Sequence, residues 1–261
     1  MTIMGMSRAD YQSSSSPATG GVLISAHRGG SENAPAATYE AYTDALTSGA
    51  EFAEFDIRKI GDGSLVVYHD AHTPDQKLLS SLGYSELCAA AGYEVPLVER
   101  VVKQMAGQLR GHLDLKETGY EEEVITLARQ YLDNEFIATS LEDVSLHTIK
   151  QAFPEVRTAL SLGRDINEFS RFAALAIRYH EFFPRRRIAR IKADGIAVHQ
   201  RIARLRGLTV AEQLDIFAMV WTVDDEDLLQ RFLLDRRVLV LITNRPRRAV
   251  ELRSSGPAVA G

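Results

Sequence analysis

Four short clusters in this chain pair residue types suited to acid–base and phosphate chemistry. His27-Arg28 sets an imidazole, which exchanges protons near neutral pH, beside a guanidinium whose fork of donors suits phosphate oxygens. In Glu54-Phe55-Asp56, strand geometry would turn both carboxylates to one face and Phe55 to the other. Two such carboxylates repel unless a cation, a proton or basic groups compensate them, and their oxygens suit a hard ion such as Mg²⁺ or Ca²⁺. Asp114-Leu115-Lys116 repeats the spacing, offering a third carboxylate ligand in Asp114 and a second phosphate-binding cation in Lys116. His69-Asp70 closes a predicted hairpin whose turn carries His69 back toward Glu54 and Asp56. Each cluster also has a plain reading when taken singly: a structural ion pair, solvated acids at a strand end, or a salt bridge of little consequence.

The elements that must position these groups follow from hydrophobic pattern and turn chemistry. Val22 to Ala26 reads as a buried strand ending at His27-Arg28-Gly29-Gly30, and Thr38 to Ala50 as a helix. Phe52 to Ile57, the turn Gly61-Asp62-Gly63 and Leu65 to His69 form a hairpin. Further strands are expected at His112–Leu115, Phe136–Thr139, Thr158–Leu162, Gly195–His199, Met219–Val223 and Val238–Thr243. Helices are expected between them at Tyr120–Leu132, Leu146–Phe153, Ile166–Tyr179 and Asp225–Leu234. Alternation of this kind implies parallel strands with helical crossovers. The strand count is about eight once Leu65–His69 is taken as an extension of the second strand, so the expected fold is α/β, a (β/α)8 TIM barrel. The hairpin and a short insertion follow strand two. All four polar clusters then fall at strand ends or edges, where barrel enzymes carry their chemistry. An open doubly wound sheet competes, but no GxGxxG motif supports it.

Composition bounds the rest. The 261 residues match one barrel, expected over residues 21–252, with a disordered leader at 1–20 and a flexible tail at 253–261. A net charge of −5 gives no global attraction for nucleic acid, so a phosphate site must be built from a few placed cations. Cys88 is the single cysteine and reads as a buried structural thiol on a helix; it excludes an internal disulfide. Neither a membrane-spanning run nor a secretory signal is visible, so stable membrane insertion is not expected and the cytoplasm is the default location. The basic stretch Arg185 to Lys192, with Arg201, Arg204 and Arg206, could touch an anionic partner but reads more simply as a solvated outer helix.

Taken together and in this order, the clusters resemble the glycerophosphodiester phosphodiesterase family. Its signature is His-Arg, then Glu-x-Asp, then a histidine closing a Val-Val-x-His-Asp hairpin; here these are His27-Arg28, Glu54-Phe55-Asp56 and Val66-Val67-Tyr68-His69-Asp70. Leu113-Asp114-Leu115-Lys116, Val220-Trp221-Thr222-Val223 and Ile242-Thr243-Asn244-Arg245-Pro246 follow in family order. The resemblance implies a small-molecule phosphodiester substrate and one divalent cation, Mg²⁺ or Ca²⁺, on Glu54, Asp56 and Asp114. Arg28 and Lys116 would hold phosphate oxygens, His27 and His69 would divide acid and base duties, and Trp221 would wall the glycerol carbons or serve as a rim aromatic. The nucleophile would be water or a neighbouring substrate hydroxyl. Three departures stand out: Pro35-Ala36-Ala37-Thr38 replaces Pro-Glu-Asn-Thr, with Glu32-Asn33 displaced upstream. Asp114 replaces a glutamate, and Leu239 and Asn244 replace aspartates. Two other readings remain open. One is a phospholipase D-like enzyme on lysophospholipid head groups, which an exposed apolar rim would support although no amphipathic patch is evident. The other is a barrel that has lost catalysis and serves as a binding module.

Overall fold

A computed structural model describes residues 21–167 and 169–255. Its strands are β1 (Leu23–Ala26), β2 (Phe52–Lys59), β3 (Leu65–Val67), β4 (Arg110–Leu115), β5 (Phe136–Ser140), β6 (Arg157–Leu162), β7 (Gly195–His199), β8 (Phe217–Trp221) and β9 (Val240–Thr243). β1 pairs in parallel with both β2 and β9, so eight parallel strands close into a barrel and the open-sheet alternative falls. β3 lies antiparallel on β2, with Ile57 opposite Val67, as the hairpin reading requires. The helices are α1 (Tyr39–Ala45), α2 (Tyr84–Ala91), α3 (Val98–Met105), α4 (Glu121–Leu132), α5 (Asp143–Ala152), α6 (Arg171–Phe182), α7 (Arg185–Ile191), α8 (Leu208–Leu214), α9 (Glu226–Leu233) and α10 (Pro246–Ser255). A single helical turn at Gln200–Ile202 and a π-helical segment at Ala203–Gly207 lead into α8.

Alternation along the strands separates two cores. Ile24, Phe55, Leu113, Leu160, Val198 and Val220 belong to the large cluster between sheet and helices. Leu23, Phe52, Ile137, Ala159, Phe217 and Met219 form a second cluster that fills the barrel. Further along the same inward rows the residues turn polar: Glu54 and Asp56 on β2, His112 and Asp114 on β4, Thr139 on β5 and Ser161 on β6. The barrel is therefore plugged with hydrocarbon at its amino-terminal end and polar at its carboxyl end.

Several boundaries differ from the sequence reading for visible reasons. β8 starts at Phe217, two residues early, because Gly195 opposite leaves room for the Phe217 ring to fill the barrel floor; a Cβ on Gly195 would lie 2.4 Å from it. α6 begins at Arg171, where the Ser170 hydroxyl caps the helix by accepting from the Ala173 N–H at 3.4 Å. α3 was not expected, since its Val98, Val101 and Val102 are β-branched, yet with Met105 they make one buried face. The predicted leader lies outside the described residues, as does the tail from 256 onward. Residues 253–255 belong instead to the end of α10, held by Arg253, which donates to the Val22 carbonyl at 2.9 Å and pairs with Glu51.

Candidate active site

The turn after β1 is the tightest piece of the site. Arg28 sits in the left-handed region at φ 53°, followed by Gly29 at φ 81°; a Cβ on Gly29 would come within 2.8 Å of the backbone of Ala41 in α1. That close approach fixes the direction in which Arg28 leaves the backbone. Its N–H donates to the Glu54 carboxylate at 2.8 Å, and its Nε lies 2.8 Å from Asp56 Oδ2. β2 is anchored from behind by Tyr42, whose hydroxyl donates to the Glu54 carbonyl at 3.1 Å and whose ring meets Phe55 edge-on.

The β2–β4 register places Asp56 opposite Asp114. Lys116 then reaches between them, 2.7 Å from Asp56 and 2.5 Å from Asp114, while Thr139 donates to the other oxygen of Asp114 at 2.5 Å. Glu54, Asp56 and Asp114 each present an oxygen within 4.8 Å of the others. The electrostatics are polarised. Burial, followed by the neighbouring charge of Asp56, pushes Glu54 well above the usual carboxylate range. Burial would also raise Asp56, but Lys116 and Arg28 outweigh it and hold that acid below its usual range. Lys116 is in turn raised, because Asp114 and Asp56 overcome its desolvation. Asp56 Oδ2 is buried and meets Arg28 Nε closely, without the alignment of a hydrogen bond. Three crowded carboxylates, one disfavoured as an anion and one with an unaligned oxygen, fit a hard divalent cation with oxygen ligands.

The two histidines stand in unlike surroundings. His27 is largely buried, and burial followed by the charge of Arg28 lowers its pKa to about 4. Its Nδ1 is 2.8 Å from Asn244 Oδ1 and its Nε2 is 4.0 Å from Glu54. Asn244 donates through Nδ2 to Asp224 at 2.7 Å, and Asp224 also accepts from the Asn244 N–H and the Thr243 hydroxyl. Because the Asp224 carboxylate only accepts, the Asn244 amide oxygen must face His27, Nδ1 must carry the hydrogen, and Nε2 keeps its lone pair toward the acids. His69 is about half exposed, with Nδ1 2.7 Å from Asp70, and its carbonyl accepts from Arg58 at 2.9 Å.

One cleft of about 1150 Å³ is lined by all eight expected site residues: His27, Arg28, Glu54, Asp56, His69, Asp114, Lys116 and Trp221. Trp221 is oriented by an Nε1–H bond to the Ala197 carbonyl at 3.0 Å and meets His199 edge-on. Asn244, Asp224 and Thr139 were not picked out as contributors, since nothing in an Asn or Thr at a strand end announces a second layer of hydrogen bonds. His112 lies buried inside the barrel beside Thr139 and Ser25, with its pKa lowered by burial to about 4. Glu32 and Asn33 do not stand in for the missing Pro-Glu-Asn: Glu32 accepts from the Arg247 and Arg248 N–H groups and so caps α10, and Asn33 binds Asp44. Cys88 is half-buried rather than buried, its sulfur accepting from Val95 N–H at 3.4 Å. The expected lack of an amphipathic patch is also corrected, since Phe169, Phe172, Leu175 and Leu205 are exposed on the β6–α6 and β7–α8 side. No helix among the described residues is long and apolar enough to cross a membrane.

Residues 27–174 match the glycerophosphoryl diester phosphodiesterase family. The Bacillus subtilis protein YhdW, provisionally named a glycerophosphodiester phosphodiesterase, is 28% identical over 229 residues, covering 78% of this chain and 87% of that protein. The crystal structure of a glycerophosphodiester phosphodiesterase from Parabacteroides distasonis superposes with a TM-score of 0.72 at 20% identity, covering 90% of this chain and 98% of that one. An Oleispira antarctica phosphodiesterase in complex with the product sn-glycerol-3-phosphate gives 0.70 at 19% identity, with the same coverage. At those identities the two structures speak to the fold alone, and the match over more than half the sequence carries the assignment. This chain belongs to the glycerophosphoryl diester phosphodiesterase family, and its class is that of a phosphoric diester hydrolase.

Proposed function

We propose that this chain hydrolyses glycerophosphodiesters to glycerol phosphate and an alcohol, with a divalent cation held by Glu54, Asp56 and Asp114. The observation that carries this reading is the set of three carboxylates within 4.8 Å, flanked by Arg28 and Lys116, at the polar end of a closed barrel. When bound, the cation supplies Lewis-acid stabilisation of charge on a phosphate oxygen. Arg28 and Lys116 orient the remaining non-bridging oxygens.

His27 enters the reaction neutral, with Nε2 unprotonated and Nδ1–H committed to Asn244, so it is the group suited to take a proton from the nucleophile, a water or a neighbouring glycerol hydroxyl. As the new P–O bond forms, the bond to the leaving oxygen breaks, and that oxygen takes its proton from His69; where a glycerol hydroxyl is the nucleophile, water then opens the resulting cyclic phosphate to glycerol phosphate. The Asp70 carboxylate, 2.7 Å from His69 Nδ1, orients the ring for that role. Trp221 packs against the glycerol carbons.

The test is turnover of glycerophosphocholine by chelator-stripped protein with Mg²⁺, Ca²⁺ and Mn²⁺ added back singly. Activity restored by metal in the native chain and absent from His27→Ala supports the assignment. Metal-independent turnover of equal rate overturns the role given to the three acids. A second reading, hydrolysis of a lysophospholipid at the same phosphate, is favoured by Phe169 and Leu205 in the cleft lining, and lysophosphatidylcholine is the companion substrate in that assay.

A further inference from the structure

α6 does not pack as the other barrel helices do. It is pinned to the carboxyl end of β6 by Glu181, a buried carboxylate that accepts from the N–H groups of Gly163 at 2.8 Å and Arg164 at 2.6 Å and pairs with Arg178. Glu181 is the one fully buried residue of the helix. Its opposite face carries Phe172, Leu175 and Tyr179 at helical spacing, and these are 89%, 70% and 60% exposed. Phe169 and Leu205, both exposed, continue that apolar surface into the lining of the catalytic cleft. Large side chains left in water in this arrangement mark a surface that another phase or molecule covers.

The charge around them says what covers it. Residues 164–206 hold eleven Arg and Lys against four Asp and Glu, a net of +7, in a chain whose total is −5. The rest of the chain is therefore at −12; within the stretch Arg164, Arg187 and Arg190 are paired with Glu142 or Asp143, and the remaining cations include arginines next in sequence to Phe172 and Leu205. Arg171, Arg186 and Arg204 are exposed and form no salt bridge among the described residues, and Arg206 stacks on Phe183 at 4.6 Å. An amphipathic helix with Phe and Leu on one face and arginines beside it is the sequence form of an element that lies in a bilayer interface. We propose that α6 and the π-helical segment at 203–207 dock this protein on an anionic phospholipid surface, with the catalytic cleft opening beside the headgroups. Aliphatic Leu175 and Leu205 suit acyl chains rather than nucleobases, and the exposed guanidinium groups suit lipid phosphates.

The docking inference goes beyond the catalytic reading, and its test scores binding without turnover. The intact protein is floated with vesicles of phosphatidylcholine alone and of phosphatidylcholine mixed with phosphatidylglycerol. Partition onto the anionic vesicles is expected to be stronger by on the order of tenfold or more and to weaken with salt. Phe172→Ser with Leu175→Ser should reduce it by about tenfold while glycerophosphocholine hydrolysis in solution is unchanged. Arg171→Glu with Arg204→Glu should remove the preference for anionic vesicles. Equal partition onto both vesicles, or none, overturns the proposal. So does a native dimer in sedimentation that the Phe172→Ser and Leu175→Ser pair converts to monomer, which would make this face a contact between two copies of the chain.

Discussion

The two sides of the barrel mouth are built on opposite plans. Around β1, β2 and β4 nearly every side chain is buried and held by at least two others: Asp56 lies between Arg28 and Lys116, and Asp114 between Lys116 and Thr139. Around β6, α6 and the β7–α8 connection, a dozen-residue helix rests on one buried carboxylate and leaves Phe172 and Leu175 in water. Charges buried at close range are costly unless each is matched, so the first side has a single workable arrangement. The second side carries that constraint at Glu181 alone, and its outward face suits recognition of a surface that is itself mobile.

The comparison breaks most visibly in turnover. Asp56→Asn keeps the size of the side chain and removes the charge that Arg28 and Lys116 both face. Hydrolysis of glycerophosphocholine should fall on the order of 10³-fold, with loss of divalent-metal binding by calorimetry. On the other side Phe172→Ser should leave the same rate unchanged. An Asp56→Asn enzyme with near-native kcat would mean that the acids are structural. Stability should show the same contrast. Phe55→Ala, in a fully buried position against Tyr42, should cost about 3–5 kcal/mol in denaturant unfolding. Phe172→Ala should stay within about 0.5 kcal/mol.

How much of this was legible differs between the two sides as well. Clusters such as Glu54-Phe55-Asp56 are local, and strand alternation puts their carboxylates on one face, so the acids could be singled out as candidates directly, with both histidines, Arg28 and Lys116 joining them through the order of the motifs. What could not be read was anything set by a partner distant in sequence. The partnership of Asn244 with His27 spans 217 residues, and an asparagine in the place of an aspartate looks like a loss until its two contacts are seen. The basic stretch was read as a solvated helix, and α7 is indeed partly exposed, with Arg187 and Arg190 paired to Asp143. The periodicity of Phe172, Leu175 and Tyr179 was visible, but it is indistinguishable from a core-facing stripe until the fold shows these side chains exposed among the described residues.

Acid should act on the buried histidines of the β1–β4 side. Burial lowers both His27 and His112 to about 4, against 6.5 for a free imidazole. As pH falls from about 6.5 toward 4 the unfolded chain takes up protons that the folded chain refuses, so folding stability is lost across that window and recovered as pH rises. Each histidine could contribute ~3 kcal/mol by this route. Glu54, displaced upward, works in the opposite sense, so the informative quantity is a difference. Chelator-treated native protein and His112→Gln should be unfolded by urea across that range, and the variant should show the shallower loss. Identical slopes would mean that His112 is not held neutral.

The smallest effect expected should separate holding a base in place from holding the fold together. Asn244→Ala removes the acceptor that commits His27 Nδ1–H and lets the ring exchange tautomers or turn, which would take the Nε2 lone pair away from the nucleophile. A group that orients a functional histidine typically matters by about 10–100-fold. Here that loss should fall on kcat, with KM little changed, because Arg28 and Lys116, proposed to hold the phosphate, and the acids proposed to hold the cation are untouched. Asn244→Asp, which keeps an acceptor for Nδ1–H but sets a second carboxylate against Asp224, should recover part of the rate. Loss of a merely structural asparagine would lower stability and raise KM together and would show no such partial recovery. The nitrogen chemical shifts of the His27 ring give a reading independent of turnover: one tautomer with hydrogen on Nδ1 in the native chain, and a mixture in Asn244→Ala. If the native ring already exchanges between tautomers, the Asp224–Asn244–His27 chain does not set the base, and the histidine roles must be assigned from the nucleophile's side instead.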